Sequence, residues 1–555
     1  MTKTGAQIII EVLCEQGVDT VFGYPGGYVI NIYDELYKNA DRVSSIVTCH
    51  EQGAAHAADG YARASGKPGV VIATSGPGAT NLVTGIACAY FDSTPMVAIT
   101  GNVPVNMLGR DSFQEIDITG VTMPMTKHNY MVKDVRDLAG TLREAFQVAI
   151  SGRPGPVLVD IPKDVQISSC EYMKKDRMLP RPFPAVREAD VDKAADAIRT
   201  SRRPCIYSGG GVVGAGAEKE LMRLADLIDA PICASMMGLT ALPHDHPRFL
   251  GMMGMHGRYA ATKAMSECDL LIAVGVRFSD RATGDKFKFS NGKTVLHIDI
   301  DAAEISKNIG AQQEILGNVK QVLRMLESRI DAAARPEWMD RIRELKEGRD
   351  NNIDMEPGML QPQYIIEGVN ARMGAHDLVA TDVGQHQMWT MLYYSFRSPR
   401  TLLTSGGLGA MGFGMGAAIG SCLAKGRRRT VLFTSDGSFH MNMNEVATAV
   451  SQDIPLIVIV LNNNALGMVR QWQTLFFEGR YAGTTLNRKT DYVKLAESFG
   501  ARGGRAATRD EFDRCLEEAF SAPGPYVMDC VISSDQKVLP MIPAGKGIDD
   551  IILRA

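Results

Sequence analysis

Two apolar runs late in the chain, Thr430-Val431-Leu432-Phe433-Thr434 and Leu456-Ile457-Val458-Ile459-Val460-Leu461, each stop at a polar cluster. The first runs into Ser435-Asp436-Gly437-Ser438 and the second into Asn462-Asn463-Asn464. Between them, 443–452 has the pattern of a helix. Such a strand–turn–helix–strand unit crosses over with a right hand, which sets both polar turns at one carboxyl edge of a parallel sheet. The spacing therefore predicts that Asp436 and Asn463 offer two hard oxygens to one cation. Mg²⁺ suits the site, because it takes oxygen ligands and completes its shell with phosphate oxygens. Amides at the start of the intervening helix suit the same phosphates. Either turn alone is an ordinary strand end; the pair at this spacing is the informative unit.

Strand-like and helix-like segments alternate along most of the 555 residues, and the 55 glycines gather at strand ends. That alternation predicts an α/β fold with parallel sheets. Three doubly wound parallel-sheet domains are expected, at 1–165, 189–330 and 361–540, with a tail at 541–555. A polar, proline-bearing stretch, 170–188, joins the first two, and a charged, helix-bearing connector, 332–357, joins the last two. The first and third blocks are alike in size and style, with no residue-level repeat evident between them.

Net charge of −4 with 22% charged residues gives no basic surface for nucleic acid or membrane. No signal peptide or spanning apolar segment is visible, so a cytoplasmic location is expected. Ten cysteines without a CxxC, and ten histidines without an HxxxH, weigh against zinc and against a disulfide framework.

Glu51 follows a strand and opens a helix of small residues, His50-Glu51-Gln52-Gly53-Ala54-Ala55. Two readings stand side by side: a carboxylate favoured by a helix N-terminus, and an acid placed for proton transfer. Glycine- and proline-rich turns at 22–27, 75–81, 382–387 and 405–414 end other strands and form candidate walls. In the middle block Gly209-Gly210-Gly211-Val212-Val213-Gly214 fits GxGxxG between a strand and a helix. The acid expected after the next strand is missing from Pro231-Ile232-Cys233-Ala234-Ser235, so the dinucleotide fingerprint is incomplete.

The Ser435-Asp436-Gly437 turn followed by helix, strand and Asn462-Asn463 resembles the diphosphate–metal motif of thiamine-diphosphate (ThDP) enzymes, with Ser435 where the first glycine usually stands. Segments 109–115, 126–130, 151–164, 467–473, 478–481 and 538–543 extend the likeness. Over essentially its whole length the chain resembles the catalytic large subunits of the acetohydroxyacid (acetolactate) synthases. That resemblance implies a pyrimidine-binding first domain, an FAD-binding middle domain and a diphosphate-binding third domain. The first and third would share a fold and meet across a dimer interface. It implies ThDP, Mg²⁺ and FAD as cofactors, the FAD mainly structural. The implied reaction decarboxylates pyruvate and joins its two-carbon unit to a second 2-oxo acid. Pyruvate as acceptor gives 2-acetolactate and 2-oxobutyrate gives 2-aceto-2-hydroxybutyrate, on the route to valine, leucine and isoleucine. A homodimer or homotetramer, with a small regulatory subunit, is the implied assembly.

Residue roles follow from the same resemblance. Glu51 would activate the cofactor through its aminopyrimidine ring. Phe113, Gln114 and Lys163 would lie near the reaction centre, and Trp472 would shape the acceptor pocket; a tryptophan there is equally explained by interface packing. Pro25, Gly26, Pro77, Asn81, Gln385, His386, Gly409, Met411, Gly437, Ser438 and Met468 would contact ThDP. Asp436, Asn463 and the carbonyl of Ala465 would bind the metal. The FAD contacts would be Arg153, Gly209, Gly210, Gly211, Ser235, Met236, Met237, Gly254, Met255, His256, Gly275, Arg277, Asp280, Arg281, Asp299 and Ile300, with Arg281 also flanking the substrate channel. Tyr28 departs from the small residue usual there and is expected to narrow the mouth of the site; Ser435 is expected to alter the diphosphate turn. An FAD-bearing ThDP oxidase, a glyoxylate carboligase and a non-catalytic paralogue remain as alternatives. The retained Glu51, Asp436 and Asn463, with the contexts of Gln114, Lys163 and Trp472, argue against them.

Overall fold

The computed structural model describes residues 1–347 and 359–554. Three six-stranded sheets account for nearly all strands. The first runs Ser44–Val47, Thr20–Tyr24, Gly69–Ala73, Met96–Asn102, Pro156–Pro162, His128–Met131 from edge to edge. The third runs Leu402–Leu403, Leu378–Thr381, Thr430–Ser435, Leu456–Asn462, Tyr526–Val531, Arg502–Ala506. Every neighbouring pair in both is parallel. Counted along the chain within each block, both sheets have the order 2-1-3-4-6-5. The middle sheet has a different order, 3-2-1-4-5-6, that of dinucleotide-binding folds. Its strands are Phe249–Met252, Ile232–Ala234, Pro204–Ser208, Leu270–Val274, Thr294–Asp299 and Gln313–Leu316.

The central strands are buried on both faces, which is why they read as unbroken apolar runs. Helices cover each face. The Pro336–Glu347 helix packs Trp338, Ile342 and Leu345 against the middle block, and its indole N–H donates to Pro204 O at 3.0 Å. The rest of the expected 332–357 connector runs into residues outside those described. The Thr2–Thr4 strand pairs antiparallel with Ser169–Glu171, so chain that reads as linker is held to the first block. The helix expected at 443–452 forms as two shorter ones, Asp436–Asn442 and Glu445–Ser451; the first begins at the acidic residue itself.

The matching strand orders expose a residue-level repeat, which corrects the expectation that there is none. Pro95-Met96-Val97-Ala98-Ile99-Thr100-Gly101-Asn102 corresponds to Pro455-Leu456-Ile457-Val458-Ile459-Val460-Leu461-Asn462. Pro154-Gly155-Pro156-Val157-Leu158-Val159-Asp160 corresponds to Pro523-Gly524-Pro525-Tyr526-Val527-Met528-Asp529. The correspondence is also chemical. Asn102 Nδ2 donates to Asp160 Oδ2 at 2.6 Å, and Asn462 Nδ2 donates to Asp529 Oδ1 at 2.9 Å. Each pair ties the fourth strand to the sixth beneath the carboxyl edge. The repeat is hidden in sequence because apolar central strands look alike in any parallel sheet.

The two blocks meet through equivalent helices, each following its block's second strand: Glu51–Ser65 and Phe413–Ala424. Small residues let their backbones touch. A Cβ at Gly60 would sit 2.2 Å from Ala417 O, and one at Gly420 would sit 1.8 Å from Ala57 O. No larger residue fits at either place.

Candidate active site

At the carboxyl edge of the third sheet, the Asp436 and Asn463 turns come together. Ser435 caps the Asp436–Asn442 helix, its Oγ accepting from Ser438 N at 3.3 Å, so the serine in place of glycine is a helix cap. Asp436 is 2% exposed and its Oδ1 has no hydrogen-bond partner. Burial pushes its carboxyl up to about 6, partly offset by backbone N–H groups, that of Asn463 among them. A buried carboxylate with an unmatched oxygen is suited to pairing with a cation. Asn463 is buried, and its Oδ1 accepts from Ala465 N at 3.1 Å, bringing the Ala465 backbone to the same edge. This donor set of carboxylate, amide and backbone oxygen fits a hard cation such as Mg²⁺.

The walls of this half-site are fixed by Asp382, which sequence reading left without a role. Its Oδ1 accepts from the backbone N–H of Gly412 and Gly414, each at 2.9 Å, and its Oδ2 from Thr434 Oγ1 at 2.8 Å. The carboxylate thus ties the 405–414 loop, with Gly409 and Met411, to the strand that carries Asp436. Met411 also lies against the Asp436-Gly437 turn: a Cβ on Gly437 would stand 3.7 Å from Met411 Cε and 2.8 Å from a Leu466 methyl. Ser438 Oγ donates to Val383 O at 3.1 Å, and Met468 is half-buried in the next helix. His386 is 2% exposed, burial pushes it down to about 3, and its Nε2 lacks a partner. Gln385 turns its side chain into the protein at the start of its helix. Its Nε2 donates to Gln536 O and Gln471 Oε1, at 2.7 and 3.0 Å. Its Oε1 faces Asn463 Nδ2 at 3.4 Å, so the side chain is fully engaged within the protein.

The first block contributes a second edge. Glu51 opens its helix, and Asn81 Nδ2 donates to Glu51 Oε2 at 2.9 Å; the other oxygen faces Gly78, where a Cβ would lie 3.2 Å away. Pro77, Gly26 and Thr74 line the same edge, with Gly26 packed so closely on Thr74 that a Cβ would clash at 2.6 Å; Pro25 is exposed beside it. The helix is anchored from the third block by Glu445, a residue that sequence reading missed. Glu445 is fully buried, and its carboxylate accepts from Cys49 N at 3.2 Å and His50 N at 3.0 Å. A buried acid against a foreign helix N-terminus leaves no local signature in the sequence. Tyr28 joins two expected neighbours: its hydroxyl donates to Phe113 O at 3.1 Å, and Lys163 Nζ lies 6.0 Å from its ring centroid. Gln114 is next in line at φ +61, against Gly76. Phe113 itself is 80% exposed.

The middle block turns its carboxyl edge toward both others. Gly209 and Gly211 abut Gly275, where Cβ atoms would approach to 2.1 and 2.7 Å, and Gly210 rests on Met237. Met236 and Met237 crowd Gly406, and Arg277 approaches Gly407, both in the third-block loop. Ser235 precedes them in the strand-end turn. Ser208 Oγ and His256 Nδ1 are buried without partners, as a cleft shaped for a polar ligand would leave them. Gly254 and Met255 lie beside Arg281, with Met255 N donating to Arg281 O at 2.8 Å. Asp280 and Arg281 are exposed. Burial pushes Asp299, which ends the fifth strand ahead of Ile300, up to about 6. Arg153 reaches across from the first block, its Nη1 2.8 Å from Glu304 and 3.2 Å from Asp301. The Arg281 guanidinium lies 5.7 Å from the Trp472 ring centroid, and Trp472 packs with Met255, Leu539 and Met541, where middle block, third block and tail converge.

The described contacts of Glu51 do not include any group of the Asp436 edge. Within one chain, the two half-sites are joined through the helix pair and Glu445.

Three family models of thiamine pyrophosphate enzymes match: the N-terminal TPP binding domain over residues 3–121, the central domain over 191–326 and the C-terminal TPP binding domain over 382–530. Curated relatives align almost end to end. The probable acetolactate synthase large subunit of Methanocaldococcus jannaschii is 45% identical over 563 residues, covering 99% of this chain and 95% of the relative. The acetolactate synthase large subunit of Haemophilus influenzae is 41% identical, with 99% and 98% covered. The acetolactate synthase isozyme 2 large subunit of Escherichia coli is 41% identical, with 99% of each covered.

Proposed function

The chain belongs to the acetolactate synthase large subunits among the thiamine pyrophosphate enzymes, and from that premise we propose that it condenses pyruvate with a second 2-oxo acid. The products are 2-acetolactate from a second pyruvate and 2-aceto-2-hydroxybutyrate from 2-oxobutyrate, with one CO₂ released per condensation, in branched-chain amino-acid biosynthesis. The observation that carries this reading is the pairing of an unmatched buried carboxylate oxygen at Asp436 with Asn463 at one sheet edge, in a chain that retains Glu51 at another. When bound, ThDP supplies the nucleophilic carbon and the electron sink; the protein supplies orientation and charge.

Each group then has a task. Asp436, Asn463 and the Ala465 carbonyl would hold Mg²⁺, which would supply positive charge for the diphosphate. His386, Gly409, Gly437 and Ser438 surround that end, and Met411 supports the middle. Glu51, with Oε2 fixed by Asn81, keeps Oε1 for a proton exchanged with the pyrimidine ring. Pro25, Gly26 and Pro77 wall that end. Lys163, Gln114 and Phe113 sit where a substrate carboxylate is received, and Tyr28 steadies them. Trp472, held by Arg281, Met255 and the tail, limits the acceptor pocket. The middle cleft takes FAD as a structural cofactor.

The domains are divided at 1–165, 189–330 and 361–540, followed by the tail. The assembly is a homodimer or a higher homo-oligomer, in which the Glu51 edge of one copy faces the Asp436 edge of another. Exposed apolar side chains at both edges, Phe113 and Tyr24 on one and Met441 and Leu408 on the other, support it. The name "large subunit" carried by the relatives supports a small regulatory partner. Among the described residues no helix is long and apolar enough to cross a membrane, and the reading places the enzyme in the cytoplasm.

Product analysis tests the proposal. Supplied with pyruvate, ThDP, Mg²⁺ and FAD, the protein is expected to form acetolactate without consuming O₂, and to add 2-aceto-2-hydroxybutyrate when 2-oxobutyrate is present. Stoichiometric O₂ uptake without acetolactate would overturn it.

A further inference from the structure

We propose that Gln471 is a positioning residue that couples seating of the 536–538 tail segment to the Asn463 side of the metal edge. The inference rests on the functional reading above and goes beyond it.

Gln471 is 2% exposed, on the Gly467–Phe476 helix. It grips one tail residue by both backbone groups, as a neighbouring strand would. Val538 N donates to Gln471 Oε1 at 2.8 Å, and Gln471 Nε2 donates to Val538 O at 3.0 Å. The same Oε1 accepts from Gln385 Nε2 at 3.0 Å. Gln385 Nε2 also donates to Gln536 O in the tail at 2.7 Å, while its Oε1 faces Asn463 Nδ2 at 3.4 Å. A continuous run of buried amides therefore leads from the tail backbone through Gln471 and Gln385 to Asn463.

The run has one orientation. Turning the Gln385 amide end for end would set its oxygen against Gln536 O and Gln471 Oε1, two acceptors, and its nitrogen against the Asn463 amide nitrogen. The geometry also accounts for Gly467, where a Cβ would lie 2.1 Å from Gln385 Oε1 and 2.7 Å from Asn463 Nδ2. Withdrawing the tail strips one partner, Gln536 O, from Gln385 and both Val538 backbone partners from Gln471 at once. Buried amides do not stay unpaired, so Gln471 must find new partners and Gln385, bonded to it, shifts with it, loosening the one bond that Asn463 Nδ2 makes. By linkage, whatever fixes Asn463 at the metal must favour the seated tail to the same extent.

Hydrogen exchange in a peptide spanning 533–542 of the full chain, with and without saturating ThDP and Mg²⁺, reads this coupling. The cofactors are expected to slow exchange in the unaltered protein by about 5-fold or more, the lower range of allosteric coupling. In Gln471→Met, similar in volume but unable to bond, that slowing should vanish, and ThDP affinity from tryptophan fluorescence should fall by a similar factor. Gln471→Glu keeps the oxygen that accepts from Val538 N but sets an acceptor against Val538 O, so it should reduce the response, and it covers the case in which the methionine variant does not fold. Arg470→Ala is the control: Arg470 holds the tail through Asp535 at 3.0 Å, with no contact to Gln385. It should speed exchange overall and leave the cofactor response intact. Undiminished slowing in Gln471→Met, or its loss in Arg470→Ala as well, overturns the coupling while leaving the proposed function standing. Failure of the unaltered chain to bind ThDP with Mg²⁺ overturns both.

Discussion

The first and third sheets share the strand order 2-1-3-4-6-5 and a matching asparagine–aspartate tie between their fourth and sixth strands, but their functional acids sit after different strands. In the first block the acid, Glu51, follows the second strand and starts the next helix. In the third, the corresponding helix is preceded by the 405–414 loop, and acids follow the first and third strands, Asp382 and Asp436. One scaffold thus carries an acid held on one oxygen by Asn81 and, on the proposed reading, a cation site. The difference lies entirely in the turns at the carboxyl edge; the strands below are common to both.

That contrast makes predictions of decreasing size. Glu51→Gln should lower turnover by about 10²–10⁴-fold, the usual contribution of a positioned proton donor, with ThDP affinity nearly unchanged. Near-normal turnover, or a loss of affinity that explains the whole effect, breaks the division of labour. Asp436→Ala should do the reverse in binding. The Mg²⁺ concentration for half-maximal ThDP binding should rise by more than about 100-fold, beyond the 10–100-fold usual for outer-shell changes. Binding that stays independent of this residue would move the cation elsewhere. Trp472→Leu should cut the preference for 2-oxobutyrate over pyruvate in a competition assay by about 10-fold, the scale on which a pocket reads one methylene. An unchanged product ratio would assign the indole to packing between blocks.

The smallest effect on turnover is expected at the duplicated tie. Burial pushes Asp160 up to about 7, against hydrogen bonds from Thr100 and Asn102 that favour its charged form. Its counterpart Asp529 is also raised by burial but has Arg505 at 3.7 Å. Between the unfolded carboxylate value of about 3.9 and about 7, the folded protein keeps the Asp160 proton and the unfolded chain does not. This group therefore removes stability as pH rises through that window, by up to about 1.4 kcal/mol per pH unit. Denaturation across pH should show this downward contribution in the unaltered protein and its loss in Asp160→Asn, whatever the variant's absolute stability. Parallel profiles would mean that Asp160 is ionised throughout.

Much of this arrangement was legible in the sequence because it is local. Strand, turn and helix signals place Asp436, Asn463 and Glu51 at carboxyl edges, and right-handed crossovers bring the first two together without reference to anything distant. What was not legible is long-range. Glu445 caps a helix that starts almost four hundred residues earlier, Gln471 is recognisable only once the tail lies against it, and the Gln385 side chain is held by partners 86 and 151 residues away. The repeat went unseen for a related reason. Unbroken apolar runs carry little identity until the strand order aligns them, and the shared Pro-Gly-Pro turns with the Asn102–Asp160 and Asn462–Asp529 pairs then mark the two blocks as counterparts. GxGxxG was the opposite case: an incomplete motif, in a block whose strand order is the dinucleotide-binding one after all.

The seam at Gly60 and Gly420 has a consequence for how such a molecule can change. With carbonyl oxygens already where a methyl group would go, neither position has a neutral substitution available, and the two halves cannot drift in angle independently. On the proposed reading, variation that alters which acceptor is taken accumulates at the rim, around Tyr28, Phe113 and the helix residue Trp472, while the keel between the halves stays frozen. A directed-evolution library aimed at new 2-oxo acids would waste its members on the keel and find its gains at the rim.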